Sequence, residues 1–238
     1  MYDYKKGKER VNDILTNELE VEEINELPTD ENLTYSNAYK SWVTAIFVDL
    51  RDSTTLFTKE NKKDVSRVIR SFTSEVLEVL RDKSNLREIG IRGDCVYAIY
   101  TTPQKSQIDD IMTSAAYINT LLKMLNQLFE KKNLPTITAG IGISSAQELV
   151  VKAGRKGTGL NNKVWIGDAV TKASKFSGIG NKNGNRSIII SPCTYSNLKD
   201  AENHPDWFSE KFDRDLGTYY ECGIIMTDFN NWIDEGMK

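Results

Sequence analysis

The pattern of apolar residues predicts an α+β fold: a ferredoxin-like βαββαβ core with an antiparallel sheet, followed by additional C-terminal strands and helices. Three observations carry this. Short β-type apolar runs lie at residues 42–49, 86–92, 95–101 and 137–143. Two long stretches of helical period separate the first run from the second and the third from the fourth. Only Gly93-Asp94 stands between the second and third runs, as in the turn of a hairpin. Strands and helices in that order make a split βαβ arrangement with both helices on one face of the sheet.

Residues 1–40 are polar and acid-rich, with Glu18, Glu20, Glu22, Glu23, Glu26, Asp30 and Glu31. They read as an N-terminal extension to a domain of residues 41–238, with a short helix over 11–19 and a loop at Pro28. Packing on the domain or on a second subunit is the expected role, with simple solvation as the plainer one. In the first strand Val43 to Val48 is apolar apart from Thr44, which fits a strand buried on both faces. Asp52 or Ser53 is placed to cap the next helix. Its face at Val65, Val68, Ile69, Phe72, Val76, Val79 and Leu80 repeats every three or four residues. Pro103 and Ser106 introduce the second helix, whose stripe runs from Ile108 through Ile111, Ala115, Ile118, Leu122 and Leu125 to Phe129. After Pro135, residues Ile137, Ala139, Ile141 and Ile143 alternate on one face of a fourth strand. Two further strands at 149–153 and 163–166 flank Gly154-Arg155-Lys156-Gly157-Thr158-Gly159. This run precedes a strand and lacks Walker spacing, so it reads as a hairpin loop, with Arg155 and Lys156 placed to lean over an anion. A helix at 168–176, a loop at 178–185, a strand at 188–190, a helix at 192–198 and a hairpin of 208–212 with 218–225 complete the chain.

With 238 residues the chain can bury a sizeable core as one large domain. A net charge of −3 leaves no basic footprint, so nucleic acid is not an expected partner. No apolar run approaches a membrane span and no signal-peptide core is present, so no membrane is expected. Cys95, Cys193 and Cys222 lack metal-ligand spacing and read as reduced thiols of a cytoplasmic protein. His204 is the single histidine, so neither a zinc cluster nor a His-based triad is expected, and the chemistry falls to carboxylates, Lys and Arg.

Two carboxylates stand out. Asp49 ends the buried first strand, where a charge is costly unless paired or bound to a cation. Asp94 sits in the hairpin turn. With their strands as neighbours, both meet at one edge of the sheet and make an oxygen-donor site for Mg²⁺ or Mn²⁺. A helix N-cap and an ordinary Gly-Asp turn are the plainer readings of the same residues.

Three blocks in order point to a family. The first is Phe47-Val48-Asp49-Leu50-Arg51 through Phe57, the second is Gly93-Asp94, and the third runs from Val164-Trp165-Ile166-Gly167-Asp168 to Lys175. Over about residues 40 to 200 the chain resembles the catalytic core of the class III nucleotidyl cyclases. The resemblance implies that a nucleoside triphosphate is cyclised, its ribose 3′-hydroxyl attacking its own α-phosphate and pyrophosphate leaving, with two Mn²⁺ or Mg²⁺ ions per site. By resemblance Asp49 and Asp94 hold the ions, with the Leu50 carbonyl as a further ligand. The backbone from Arg51 through Ser53 to Thr54 then cradles the β- and γ-phosphates. Asp52 departs from the family's usual Gly. Thr171 stands where the family has an Asn that orients the ribose, and Lys175 where it has an Arg that stabilises charge on the α-phosphate. Thr keeps a hydroxyl, and Lys keeps the charge without the bidentate fork; the plainer reading of Lys175 is a solvated helix surface. In the family this half comes from the other subunit, which implies a homodimer with composite active sites.

Purine cyclases of this family read the base with a Lys and an Asp at the places held here by Gly90 and Val164. Neither can hydrogen-bond a base through its side chain. Arg92 stands where an apolar residue is usual and is the candidate substitute reader, unless it only pairs with an acid such as Glu88. Trp165 is placed either to stack on a base or to fill the core. The pattern is similar to the pyrimidine cyclases of Pycsar anti-phage systems, which make cyclic UMP or cyclic CMP for a separate effector protein. The implied substrate is a pyrimidine nucleoside triphosphate, CTP or UTP, with overall resemblance leaning slightly to CTP. An adenylate cyclase with a rearranged base pocket and a catalytically silent nucleotide-binding module are the alternatives.

Overall fold

The computed structural model describes the whole chain except residues 29–31 and 156–160 and the side chains at positions 57, 59 and 161. Helix α1 (Tyr4–Thr16) opens the chain, with the Asp3 carboxylate accepting from the amides of Lys5 and Lys6. Strand β1 (Glu20–Glu23) is followed by the 14-residue strand β2 (Asn37–Leu50). Helices α2 (Ser53–Lys59) and α3 (Lys62–Arg81) lead to the hairpin of β3 (Leu86–Arg92) and β4 (Cys95–Thr101), then to α4 (Lys105–Glu130). The remainder is β5 (Ala139–Gly154), β6 (Asn161–Ile166), α5 (Asp168–Ser177), β7 (Ile188–Ile190), α6 (Pro192–Tyr195), α7 (Lys199–Asn203), β8 (Ser209–Asp213), β9 (Gly217–Cys222) and α8 (Thr227–Asp234).

Among the described residues the strands form one sheet in the order β3-β4-β2-β5-β7-β9-β8, with β1 beside β2 and β6 beside β5. Its first four strands are the expected split βαβ core, with β2 antiparallel to both β4 and β5. The sheet as a whole is mixed and not purely antiparallel, because β5 pairs with β7, and β1 with β2, in parallel. Helices α3 and α4 cover one face, where Phe72, Val76, Ile111 and Ile118 pack on Ile46, Val48 and Leu50 of β2. The other face carries α5, whose Ala169 and Ala173 lie on Val43, Ala45 and Phe47. Glycine makes this close approach possible, since a Cβ on Gly142 would overlap the Ala173 carbonyl and the Ser177 amide. No helix among the described residues is long and apolar enough to cross a membrane.

Several expectations need correction. The first helix lies at Tyr4–Thr16 and not over 11–19. The boundary drawn at residue 40 falls inside β2, whose pairing with β1 begins at Asn37. Leu27 and Leu33 are buried at 6% and 5% exposure, so the extension packs on the domain, where burying apolar side chains is favourable. The strands expected at 137–143 and 149–153 are one continuous strand, β5. Its middle is polar, and there the buried Ser145 hydroxyl lies 2.8 Å from that of Thr44 and 3.0 Å from that of Thr194. The helix after the first strand is two helices, with Asn61 capping the second. The C-terminal helix α8 was not anticipated.

Candidate active site

Asp49 continues the α5-facing series Val43, Ala45, Phe47 by one more step of the pleat. The β2–β4 register sets it opposite Cys95, the residue after Asp94. Asp94 occupies a two-residue turn made possible by Gly93, whose φ is +66°. Burial pushes the Asp49 carboxyl above the usual carboxylate range, the Arg51 guanidinium opposes this, and the charge of Asp94 adds to it. Two mutually repelling carboxylates at the open end of a sheet are a donor set that fits a hard divalent cation. Among the described residues no group of three or more His, Cys, Asp and Glu converges. Asp49, Asp94 and the Leu50 carbonyl would thus leave part of the coordination shell to substrate oxygens.

Arg51 does something the sequence did not reveal. Its guanidinium pairs with Asp49 Oδ2 at 3.2 Å, donates to the Gly178 carbonyl at 2.8 Å and also to the Ser177 carbonyl. Its amide donates to the Thr138 carbonyl at 2.8 Å. Arg51 therefore ties the end of β2 to the C-terminus of α5, and its amide is not available to a phosphate as expected. Ser53 and Thr54 remain in the first turn of α2, where amides have no intrahelical acceptor. Asp52 precedes them at φ 53°, exposed, and its carboxylate makes no capping bond.

Thr171 and Lys175 lie one turn apart on the exposed side of α5, opposite the buried Ala169, Ala173 and Phe176. The Thr171 hydroxyl donates to the Gly167 carbonyl at 3.1 Å. The first turn of α5 rests on Glu148 of β5, which is fully buried and accepts from the Ala169 amide at 2.5 Å through Oε1. Among the described residues Glu148 Oε2 has no hydrogen-bond partner. Burial pushes this carboxyl up, against the pull of the Ala169 and Val170 amides. A Cβ on Gly167 would meet the carboxylate at 2.7 Å, which accounts for the glycine.

The four base-site candidates lie beside a second cluster. A Cβ on Gly90 would stand 2.9 Å from Tyr97 Oη, so the Tyr97 ring takes the space that a side chain there would need. Tyr97 stacks on Phe47 with ring centroids 5.2 Å apart, and its hydroxyl donates to Glu88 Oε1 at 2.8 Å. Glu88 Oε2 accepts the Trp165 indole N–H at 2.7 Å. Glu88 is thus engaged by Tyr97 and Trp165 and not by Arg92, which is exposed. Trp165 is half-buried against the cluster under α5, and Val164 is 40% exposed. Sequence reasoning passed over Tyr97 and Glu148 and named Glu88 only as an acid for Arg92 to pair with. The available signals were that Glu88 shares a strand face with Gly90, and that Glu148 is a lone charge beside the apolar run Leu149-Val150-Val151. Residues 156–159 of the glycine-rich loop lie outside the described residues.

Comparison with known proteins gives a consistent picture. The family described as the adenylate and guanylate cyclase catalytic domain matches residues 35–213. A uridylate cyclase of Treponema porcinum is 64% identical over 236 residues, spanning 99% of this chain and 82% of that protein. A uridylate cyclase of Gulbenkiania mobilis is 29% identical over 249 residues, spanning 98% of this chain and 96% of that one. Among solved structures, a class III adenylyl cyclase-like ATP-binding protein from Pseudomonas aeruginosa superposes with a TM-score of 0.68 at 18% identity. That match covers 98% of this chain but 48% of the other, and it shows the shared fold.

Proposed function

The chain belongs to the class III nucleotidyl cyclases, and from that premise we propose that it converts UTP to 3′,5′-cyclic UMP and pyrophosphate. As a member of the family it is a nucleotide cyclase, a phosphorus–oxygen lyase acting on a nucleoside triphosphate with divalent metal ions. The observation that carries the base assignment is the Tyr97 ring over Gly90, which leaves no space for a purine-reading side chain at that position. The slight leaning to CTP gives way to UTP because two relatives that share almost the whole chain are uridylate cyclases.

Mn²⁺ or Mg²⁺, two ions per site at Asp49, Asp94 and the Leu50 carbonyl, would supply a lowered pKa for the 3′-hydroxyl and neutralise the triphosphate. The amides of Ser53 and Thr54 hold the β- and γ-phosphates. The Thr171 hydroxyl orients the ribose, and the Lys175 ammonium meets the charge that grows on the α-phosphate, without the fork of an arginine. Arg92 donates to a pyrimidine carbonyl oxygen, and Val164 lines the base without a polar claim on it. The exposure of Thr171 and Lys175 supports a homodimer in which each site combines the metal end of one protomer with the α5 face of the other. The product then serves a separate cyclic-nucleotide-activated effector of a Pycsar-type antiviral pair in the cytoplasm.

The test is competition among the four nucleoside triphosphates with purified protein and Mn²⁺, with the products resolved by mass. Cyclic UMP as the main product is expected. Predominant cyclic AMP or cyclic GMP would overturn the pyrimidine assignment, and no turnover with any substrate would leave a nucleotide-binding module.

A further inference from the structure

A carboxylate offers about four acceptor positions, and among the described residues two of those of Glu88 are filled, by Tyr97 Oη at 2.8 Å and Trp165 Nε1 at 2.7 Å. These donors come from β4 and β6, so the half-buried carboxylate is held in one orientation from two sides. Burial and the bond to Glu88 push the Tyr97 hydroxyl up to about 12, so the phenol stays a donor to that carboxylate.

Three features turn the free side of this carboxylate toward a ligand. Glu88, Gly90 and Arg92 share one face of β3 by the two-residue period of a strand. At Gly90 that face is bare backbone covered by the Tyr97 ring, whose Oη lies 2.9 Å from the place of a Cβ and leads directly to Glu88. Arg92, on that same face of β3, acts electrostatically on the Tyr97 hydroxyl and so brings a cationic donor to the Tyr97 side of the strand. Trp165 stands two residues before Gly167, where α5 begins, so the indole bond joins Glu88 to the segment that carries Thr171 and Lys175.

Resting on the pyrimidine assignment above, we infer that Glu88 is a specificity-determining residue that accepts the N3–H of uracil while Arg92 donates to an adjoining carbonyl oxygen. Uracil presents a carbonyl, an N–H and a second carbonyl along that edge. An acceptor flanked by a cationic donor is complementary to it. Cytosine carries a bare lone pair at N3, which would face the carboxylate and be repelled. Its amino group reaches Glu88 only if the ring shifts and gives up Arg92. Guanine also has N–H groups to offer a carboxylate, so GTP belongs among the competitors tested.

The experiment is direct competition between UTP and CTP, read as the ratio of their kcat/KM values, for wild type, Glu88→Gln and Glu88→Asp. Glu88→Gln removes the anion and supplies an amide donor for cytosine N3, so the UTP:CTP ratio should fall about tenfold or more. Glu88→Asp keeps the acceptor and should retain the direction of the preference. A ratio does not depend on how much of a variant folds, so partial misfolding cannot imitate the result. An unchanged ratio in Glu88→Gln, at whatever absolute rate, overturns the inference and leaves Glu88 a structural anchor for Tyr97 and Trp165. Wild-type preference for CTP overturns it while leaving a pyrimidine cyclase. A wild-type purine preference defeats the underlying assignment before any variant is made.

Discussion

At Asp52 the needs of the backbone and of the phosphate site pull against each other. Its φ of 53° is left-handed, a region that Asp tolerates and Gly occupies without cost. Its exposed carboxylate caps nothing and stands next to Ser53 and Thr54, where phosphate is expected. Asp52→Gly should therefore leave the melting temperature equal or higher, by up to about 1 kcal/mol in stability. It should also lower KM for the triphosphate a few-fold at low salt, as steady-state kinetics would show; a raised KM would remove this turn from the phosphate site. The two carboxylates proposed to bind metal make a sharper pair. Asp49→Ala and Asp94→Ala should each reduce cyclisation at least about a hundredfold, as loss of a metal ligand does. The two should differ in stability, because only Asp49→Ala strips a partner from Arg51, whose side chain is 11% exposed. An extra loss of about 1–3 kcal/mol in denaturant unfolding is expected for that variant. Near-normal turnover in either one would defeat the metal assignment.

At the scale of elements, α5 is held at both ends by charged side chains from the sheet: Glu148 under its first turn and Arg51 at its last carbonyls. The Glu148 carboxyl is raised above its usual 4.5 by burial. Stability from a group so raised is fully present below 4.5 and is lost as pH climbs through the raised folded value. Wild type should accordingly lose stability above pH 4.5 relative to Glu148→Gln, a gap that thermal unfolding at mildly acidic and mildly alkaline pH would measure. A gap independent of pH would show that the buried carboxylate is not what titrates. Short elements bounded by turn signals were legible: β3, β4 and β7 lie where their sequences place them. β5 was read as two strands because Ser144, Ser145 and Glu148 interrupt its apolar pattern, and the partners of Ser145 and Glu148 lie far away in sequence. For α8 the anchor is equally distant, since Lys123 of α4 reaches Asn230 at 2.8 Å and Asp234 at 2.6 Å. The same physics divides the site. The placing of Asp49 near Asp94 could be foreseen because strand end and hairpin turn are local signals. The roles of Arg51 and Glu88 are set by Ser177, Gly178 and Trp165, which no local spacing connects to them.

For the whole molecule, the proposed pairing of the Asp49 end of one protomer with the exposed α5 face of another makes a prediction about mixtures. Asp49→Ala and Lys175→Ala homodimers should each be inactive. When their chains are mixed, half of the dimers are hybrids with one intact site of two, so about a quarter of wild-type activity should return. A confirmed hybrid that stays inactive would end the shared-site proposal. The way β2 is paired has a consequence for how the protein is made. One edge of this strand takes β4, with Asp49 opposite Cys95, while the other takes β5, which reaches back from Gly140 at Asp49 to Val151 at Ala38. At about 5–20 residues per second, the ribosome needs on the order of 5–20 s after β2 is finished to deliver all of β5. Through that interval a highly apolar strand has an unpaired edge, open to the equivalent strand of a neighbouring nascent chain. Crowded polysomes would pair such strands between chains, so soluble yield should depend on the rate of translation and on chaperone supply well before it depends on the stability of the finished fold.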